Sequence, residues 1–360
     1  MTSLPANVPE RLQSNPHAVS AYNICLEREV SLQLAVDNGD NIGKDLIYIR
    51  ILGYLIIYVP TPTALHTIVV EVVSARENRA IFDLGQMYYD HYLRAFRANK
   101  SQAPTPSNHS SRRSESFDTV ADMVGDTLTS APQSHATAKK HALFRDGYRC
   151  VITGSYDQPS VLTIQELRKK FEVEPGFRKM ERTQCAHIFA ESTNADIEPG
   201  SDKRLYPATM WALMERLGYT RLPEELNGPN IHRLENVMTA ALEFHSDFDL
   251  LMVWLVATDV ENKYKIEAAD PLVQRQYPEF VTFTTPDSLR FPVPSPTYLA
   301  IHAACAKVAH LSGAVACIDE LDRDLDDSTT LDPNGASGEL LDHAIAKLQI
   351  AQLNTQSLLE

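Results

Sequence analysis

The sequence predicts an α+β protein, with a mixed α/β N-terminal region, strands and helices alternating through its middle, and a helical C-terminal region. Three observations predict it. Asn78 to Ala98 places Ile81, Leu84, Tyr88, Tyr92 and Phe96 at near-helical spacing. Leu250 to Thr258 and Asn262 to Ala268 are two apolar, β-prone runs joined by a short polar turn, the pattern of a hairpin. Tyr298 to Ala316 is alanine-rich and reads as a helix.

The elements divide the chain into four stretches. In residues 1–98, Asp45 to Val59 (DLIYIRILGYLIIYV) is rich in β-branched and aromatic residues and predicts one or two strands. A helix follows over Thr63 to Ala75, and Asn78 to Ala98 is an amphipathic helix. Residues 99–138 begin with NKSQAPTPSNHSSRRSESF, dense in Ser, Pro and Asn, which reads as a mobile linker. A short helix is expected near Val120 to Thr129. In residues 139–268 helices are expected at Lys139 to Asp146, Ile164 to Phe171 and Pro207 to Leu217. A short strand and turn is expected at Cys150 to Gly154, a strand at Gln184 to Phe189, and a short strand or turn at Asn236 to Thr239. A helix over Ala240 to Asp249, with Thr239 as N-cap, leads into the hairpin. In residues 269–360 the alanine-rich helix precedes an acidic stretch, Asp319 to Asp332, expected as a solvated tail. Glu339 to Leu353 is a further helix candidate.

Bulk properties exclude several classes. The net charge is −14. A protein that grips nucleic acid over a wide area usually carries the opposite sign, so any such contact here is local or helped by a bound cation. The five cysteines, Cys25, Cys150, Cys185, Cys305 and Cys317, form no CxxC pair. That argues against a four-cysteine zinc site or a disulfide framework, and for reduced thiols inside the cell, nuclear or cytoplasmic. The longest apolar run, Ile51 to Val59, falls far short of the roughly 20 residues that span a bilayer, so no membrane partner is expected.

One set of residues could carry chemistry. His187 lies on an expected strand between Ala186 and Ile188, and Asn236 opens another extended piece. His245 and Asp249 are four apart on an expected helix and share a face. Together they could hold a divalent metal such as Mg, Mn, Zn or Ni and deprotonate water for phosphodiester hydrolysis. Taken singly, each also has a plainer explanation. A strand histidine is commonly a hydrogen-bonded core residue, an asparagine commonly caps a turn, and His245 with Asp249 fits an ordinary helix-surface pair.

Three stretches carry a family resemblance: ALFRDGYRCVITGSYD (Ala142 to Asp157), CAHIF (Cys185 to Phe189) and ENVMTAALEFHSDFD (Glu235 to Asp249). In this order they resemble the fungal, Ala-His-Ile branch of the HNH endonuclease superfamily. The flanks ILGYLIIY and YLAIHAACAKVAHLSG are similar to those of fungal proteins of this type. The resemblance implies a central ββα-metal core. His187 would be the general base, Asn236 the residue that ties the loop and fixes the base, and His245 a ligand of a divalent metal, Mg or Mn before Zn or Ni. Ala186 stands where many members carry a further ligand, and Asp249 is the candidate replacement. The implied partner is DNA, with RNA as the alternative. Arg145, Arg149, Lys169, Lys170, Arg178 and Lys179 are candidate phosphate contacts, although Glu166, Glu172, Glu174 and Glu181 are interleaved with them. The rival reading is a non-catalytic interaction or regulatory protein that keeps the scaffold.

Overall fold

A computed structural model describes residues 2–97, 132, 134–176, 179–190 and 205–327. Among the described residues helix makes up about 59% and strand 11%, the strands forming small sheets. The chain is α+β, as its sequence predicts. It folds into two compact units that do not follow sequence order. The first comprises Met1–Asn99, Ser192–Glu224 and Ile301–Glu360, and the second Lys100–Glu191 and Glu225–Ala300.

The first unit is helical among its described residues. Pro16–Asp37, Asp45–Tyr58, Pro62–Ser74 and Asn78–Tyr88 form its N-terminal part. The strands expected over Asp45 to Val59 are one helix instead, which overturns the mixed α/β reading of this region. The reason is burial on every side: Leu46, Ile47, Ile49, Ile51, Leu52, Leu55, Ile56 and Ile57 are all buried. A helix enclosed all round shows no amphipathic period, so its sequence resembles that of a buried strand. It packs tightly on Asn78–Tyr88, where a Cβ added at Gly85 would lie 2.6 Å from Tyr48 Cβ and 2.7 Å from the Tyr48 carbonyl oxygen.

Buried charge pins the start of this unit. Glu29 accepts the Leu4 N–H at 3.0 Å and the Arg50 Nε–H at 2.5 Å. The Asn78–Tyr88 helix passes through a wider turn, Tyr89–Leu93, into Arg94–Arg97. Pro296–Ser312 and Ala314–Asp327 meet at Gly313, whose φ of 88° permits a 78° bend. The second of these helices runs into the acidic stretch, so Asp319 to Asp327 is not a tail. Among the described residues no single helix is long and apolar enough to cross a membrane. The expected linker from Asn99, the helix near Val120 to Thr129 and the helix over Glu339 to Leu353 lie outside the described residues.

The second unit carries all the described strands. The helix His135–Arg145 opens with a Ser134/Thr137 capping box. After it, β1 (Tyr156–Asp157) pairs in parallel with β2 (Met180–Glu181); of the short strand and turn expected at Cys150 to Gly154, the turn is present and the strand is not. Antiparallel β3 (Thr183–His187) and β4 (Val237–Ala241) pair from Thr183 with Ala241 to His187 with Val237. The helix Leu242–Asp249 follows β4 directly. Its N-cap is Ala241, with no side-chain cap, and Thr239 sits inside β4 with its N–H on Asp146 Oδ2 at 2.9 Å. The expected hairpin forms from β5 (Val253–Ala257) and β6 (Lys263–Ala268), and β7 (Phe280–Thr282) extends it.

Candidate functional site

The β3–β4 pair is held by residues of the sequence motif. Asp146 uses one carboxylate oxygen to fix β4 at Thr239, and both oxygens pair with Arg145. Gly147 and Tyr148 take positive φ, turning the chain sharply after the helix. Cys150 Sγ accepts the N–H groups of Thr153 at 3.4 Å and Ala241 at 3.2 Å. Among the described residues no cysteine is in a disulfide. The arginine-aspartate-glycine and Cys-x-x-Thr-Gly pieces therefore build the frame.

Asn236 is fully buried at the start of β4. Its Oδ1 accepts the Phe189 N–H, and its Nδ2 donates to the Phe189 and Ile231 carbonyls, all at 2.9 Å. One side chain thus ties the turn after β3 to the turn before β4, and fixes the end of the strand that carries His187.

His187 is half-buried at that strand end. The His135 ring stacks on it at 5.6 Å, and the His232 ring meets it edge to face at 5.4 Å. His187 Nε2 lies 3.2 Å from His232 Nδ1. Burial holds the His187 pKa well below the usual histidine value, and the neighbouring histidines His135, His232 and His245 push it the same way. At neutral pH this imidazole is uncharged and able to accept a proton.

His245 reaches the strand differently. Alternation puts Gln184 and Ala186 on one face of β3, and Cys185 and His187 on the other. His245 Nδ1 donates to Gln184 Oε1, so it addresses the Ala186 face. It affects His187 electrostatically and makes no hydrogen bond to it. An N–H on Nδ1 leaves the neutral ring's lone pair on Nε2, which lies 3.3 Å from Asp249 Oδ2. The pair accommodates either a proton between the two atoms or a metal ion. An imidazole nitrogen and a carboxylate oxygen, completed by water, fit a divalent metal. Gln184 would then be the outer partner that fixes the ligand's tautomer. Among the described residues no group of three or more His, Cys, Asp and Glu residues could hold a metal.

The basic candidates divide. Arg145 is not a phosphate contact. Its side chain is 0% exposed, and all five N–H donors are used: two on Asp146, and one each on the Leu234, Val237 and Pro292 carbonyls. Arg149 lies over the Tyr156 ring and pairs with Glu174 at 2.7 Å, which leaves it part-buried. Lys179 is exposed and pairs with Glu181. Lys169 and Lys170 are exposed on the helix Gln165–Val173. Arg178 lies outside the described residues.

Sequence reasoning missed His135, His232 and Gln184. His232 stands four residues before Asn236, and Gln184 three before His187, but neither spacing carries a signal by itself. Compared with family models, curated proteins and solved structures, the chain finds no match.

Proposed function

We propose that the second unit is an HNH-type endonuclease unit, a metal-dependent hydrolase of phosphodiester bonds in DNA, with RNA as the alternative substrate. The observation that carries the reading is His187: an uncharged imidazole at a strand end, fixed by the Asn236 staple, on a two-stranded unit whose following helix bears the His245–Asp249 pair. Strand, strand and helix in this order are what a ββα-metal core requires.

In this reading His187 takes a proton from water. The water oxygen bonds phosphorus, the bond from phosphorus to the leaving sugar oxygen breaks, and that oxygen gains a proton from solvent. Asn236 holds the base in place. His245 and Asp249 would hold the metal, with Gln184 orienting His245. When bound, a divalent metal supplies charge stabilisation to the phosphate oxygens and the leaving group. Lys169, Lys170 and Lys179 offer exposed cationic charge to the backbone in a chain of net charge −14. On this reading the protein works inside the cell, in nucleus or cytoplasm.

A second reading is favoured by particular observations. Ala186 supplies no ligand, no three-residue metal group occurs among the described residues, and Arg145 is wholly internal. On that reading the unit is a non-catalytic interaction scaffold. Incubation of the full chain with supercoiled plasmid, single-stranded DNA and single-stranded RNA, in Mg, Mn, Zn or Ni, separates the two. Nicking that requires the metal and stops with a chelator supports the nuclease. Intact substrates in every metal support the scaffold.

A further inference from the structure

We propose that His187 and His232 together form a second cation site, for a nitrogen-preferring metal such as Zn or Ni, whose filling shuts off the base. The site stands on its own geometry; the shut-off rests on the reading of His187 as the base.

The spacing comes first. His187 Nε2 and His232 Nδ1 are 3.2 Å apart. Two imidazole nitrogens on one tetrahedral zinc stand about 3.3 to 3.4 Å apart, because each Zn–N bond is about 2.0 to 2.1 Å. The two donors already lie close to the separation that one ion requires. In the metal-free pair one nitrogen carries a proton and the other a lone pair. Which is which does not matter to the site. The donating ring gives that proton to water and takes one up on its far nitrogen, and both lone pairs then face the ion.

The rings are also held before an ion arrives. His232 is buried and closes the turn Gly228–His232. Asn236 Nδ2 donates to the neighbouring Ile231 carbonyl and to the carbonyl of Phe189, two residues after His187. One buried side chain thus ties together the backbone on both sides of the pair. His135 stacks on the His187 ring, with 5.6 Å between centroids and 28° between planes, and limits its swing. A pair fixed in advance loses little freedom when it chelates.

The donor set selects the ion. Among the described residues no group of three or more His, Cys, Asp and Glu residues could hold a metal, so water completes the shell around the two nitrogens. Imidazole suits Zn and Ni, whereas Mg and Mn prefer oxygen. The His245–Asp249 pair, with one nitrogen and one oxygen, is the better place for Mn. Zn on Nε2 occupies the lone pair with which an uncharged His187 would take a proton from water. One unit is then switched on by one ion and off by another.

The test is calorimetric titration of Zn into the full chain, without substrate and with Mn saturating, on wild type, His187→Ala, His232→Phe and His245→Ala. His187→Ala and His232→Phe should each weaken the tightest Zn binding by more than the roughly 10-fold that loss of an outer partner costs. His245→Ala should leave it unchanged. Wild-type affinity in either His187→Ala or His232→Phe overturns the site, as does a loss confined to His245→Ala. Should His232→Phe fail to fold by circular dichroism, His232→Gln takes its place under the same two outcomes. In Mn-dependent plasmid nicking, Zn that fills the site should lower the wild-type rate by roughly 10² or more, the loss expected when a general base is removed. His232→Phe, measured against its own Zn-free rate, should resist Zn. A wild-type rate that Zn leaves unchanged overturns the shut-off. Absence of nicking by wild type counts against the nuclease reading, and the calorimetry still decides the site.

Discussion

Two buried arginines, one in each unit, show how differently the units use charge. Arg50, in the helical unit, gives its Nε–H to Glu29 and further bonds to Ser3 and Gln33, and so fastens the first residues to the helices. Arg145, in the mixed unit, spends every donor on Asp146 and three carbonyls, two of which, Leu234 and Val237, flank Asn236. The first organises packing alone. The second organises the segment that positions the proposed base. Burial of a charge therefore does not mark chemistry in this molecule; what it is fastened to does.

Truncating the two should test that contrast with the largest effects. Arg145→Ala and Arg50→Ala each leave a buried carboxylate without its cation, a loss of about 3 to 5 kcal/mol. Urea denaturation should show similar destabilisation for both. Where the variants remain folded, only Arg145→Ala should impair metal binding. Equal impairment would erase the distinction between the units.

Asn236→Ala removes three bonds from a fully buried side chain. We expect about 3 kcal/mol of destabilisation, since Phe189 and Ile231 keep unpaired polar groups. Denaturant midpoints check this, and a loss below about 1 kcal/mol would mean that the two turns hold themselves.

Calorimetry with Mn tests the metal pair. His245→Ala should abolish binding, and Asp249→Ala should weaken it by at least an order of magnitude if its carboxylate is a ligand. A change of only a few-fold in Asp249→Ala would place that residue outside the ligand set. Equal affinity in all three proteins would move the metal elsewhere.

The smallest effect is on pH. The His187 pKa is depressed in the fold, so between the unfolded value near 6.5 and the lower folded value only the unfolded chain binds this proton. Its contribution to stability is fully present above about pH 6.5 and is lost as pH falls toward the folded pKa. Denaturation at pH 7.5 and 5.5 should show a smaller difference for His187→Gln than for wild type. An unchanged difference would contradict a His187 whose pKa is held down in the fold.

What the sequence made legible follows from range. The strand around Ala186 and His187, the helix bearing His245 and Asp249, and the β5–β6 hairpin depend on local pattern, and all are present. Asp45 to Tyr58 was illegible because a helix buried on every side loses its period. The burial of Arg145 was illegible because its partners lie as far as Pro292, 147 residues on. His232 meets His187 across 45 residues, and nothing local announces it. Ala142 to Asp157 serves the β3–β4 pair in a way its spacing did not announce: its charged and sulfur groups fasten β4, while its arginines face inward or pair with Glu174.

The central claim is that His187 is a base, and one comparison tests it most directly: the initial rate of metal-dependent plasmid nicking by wild type and by His187→Ala, with matched circular dichroism and melting curves. The account predicts a folded variant whose rate falls by roughly 10² to 10⁴. A folded His187→Ala that nicks at the wild-type rate with the same metal dependence would contradict it.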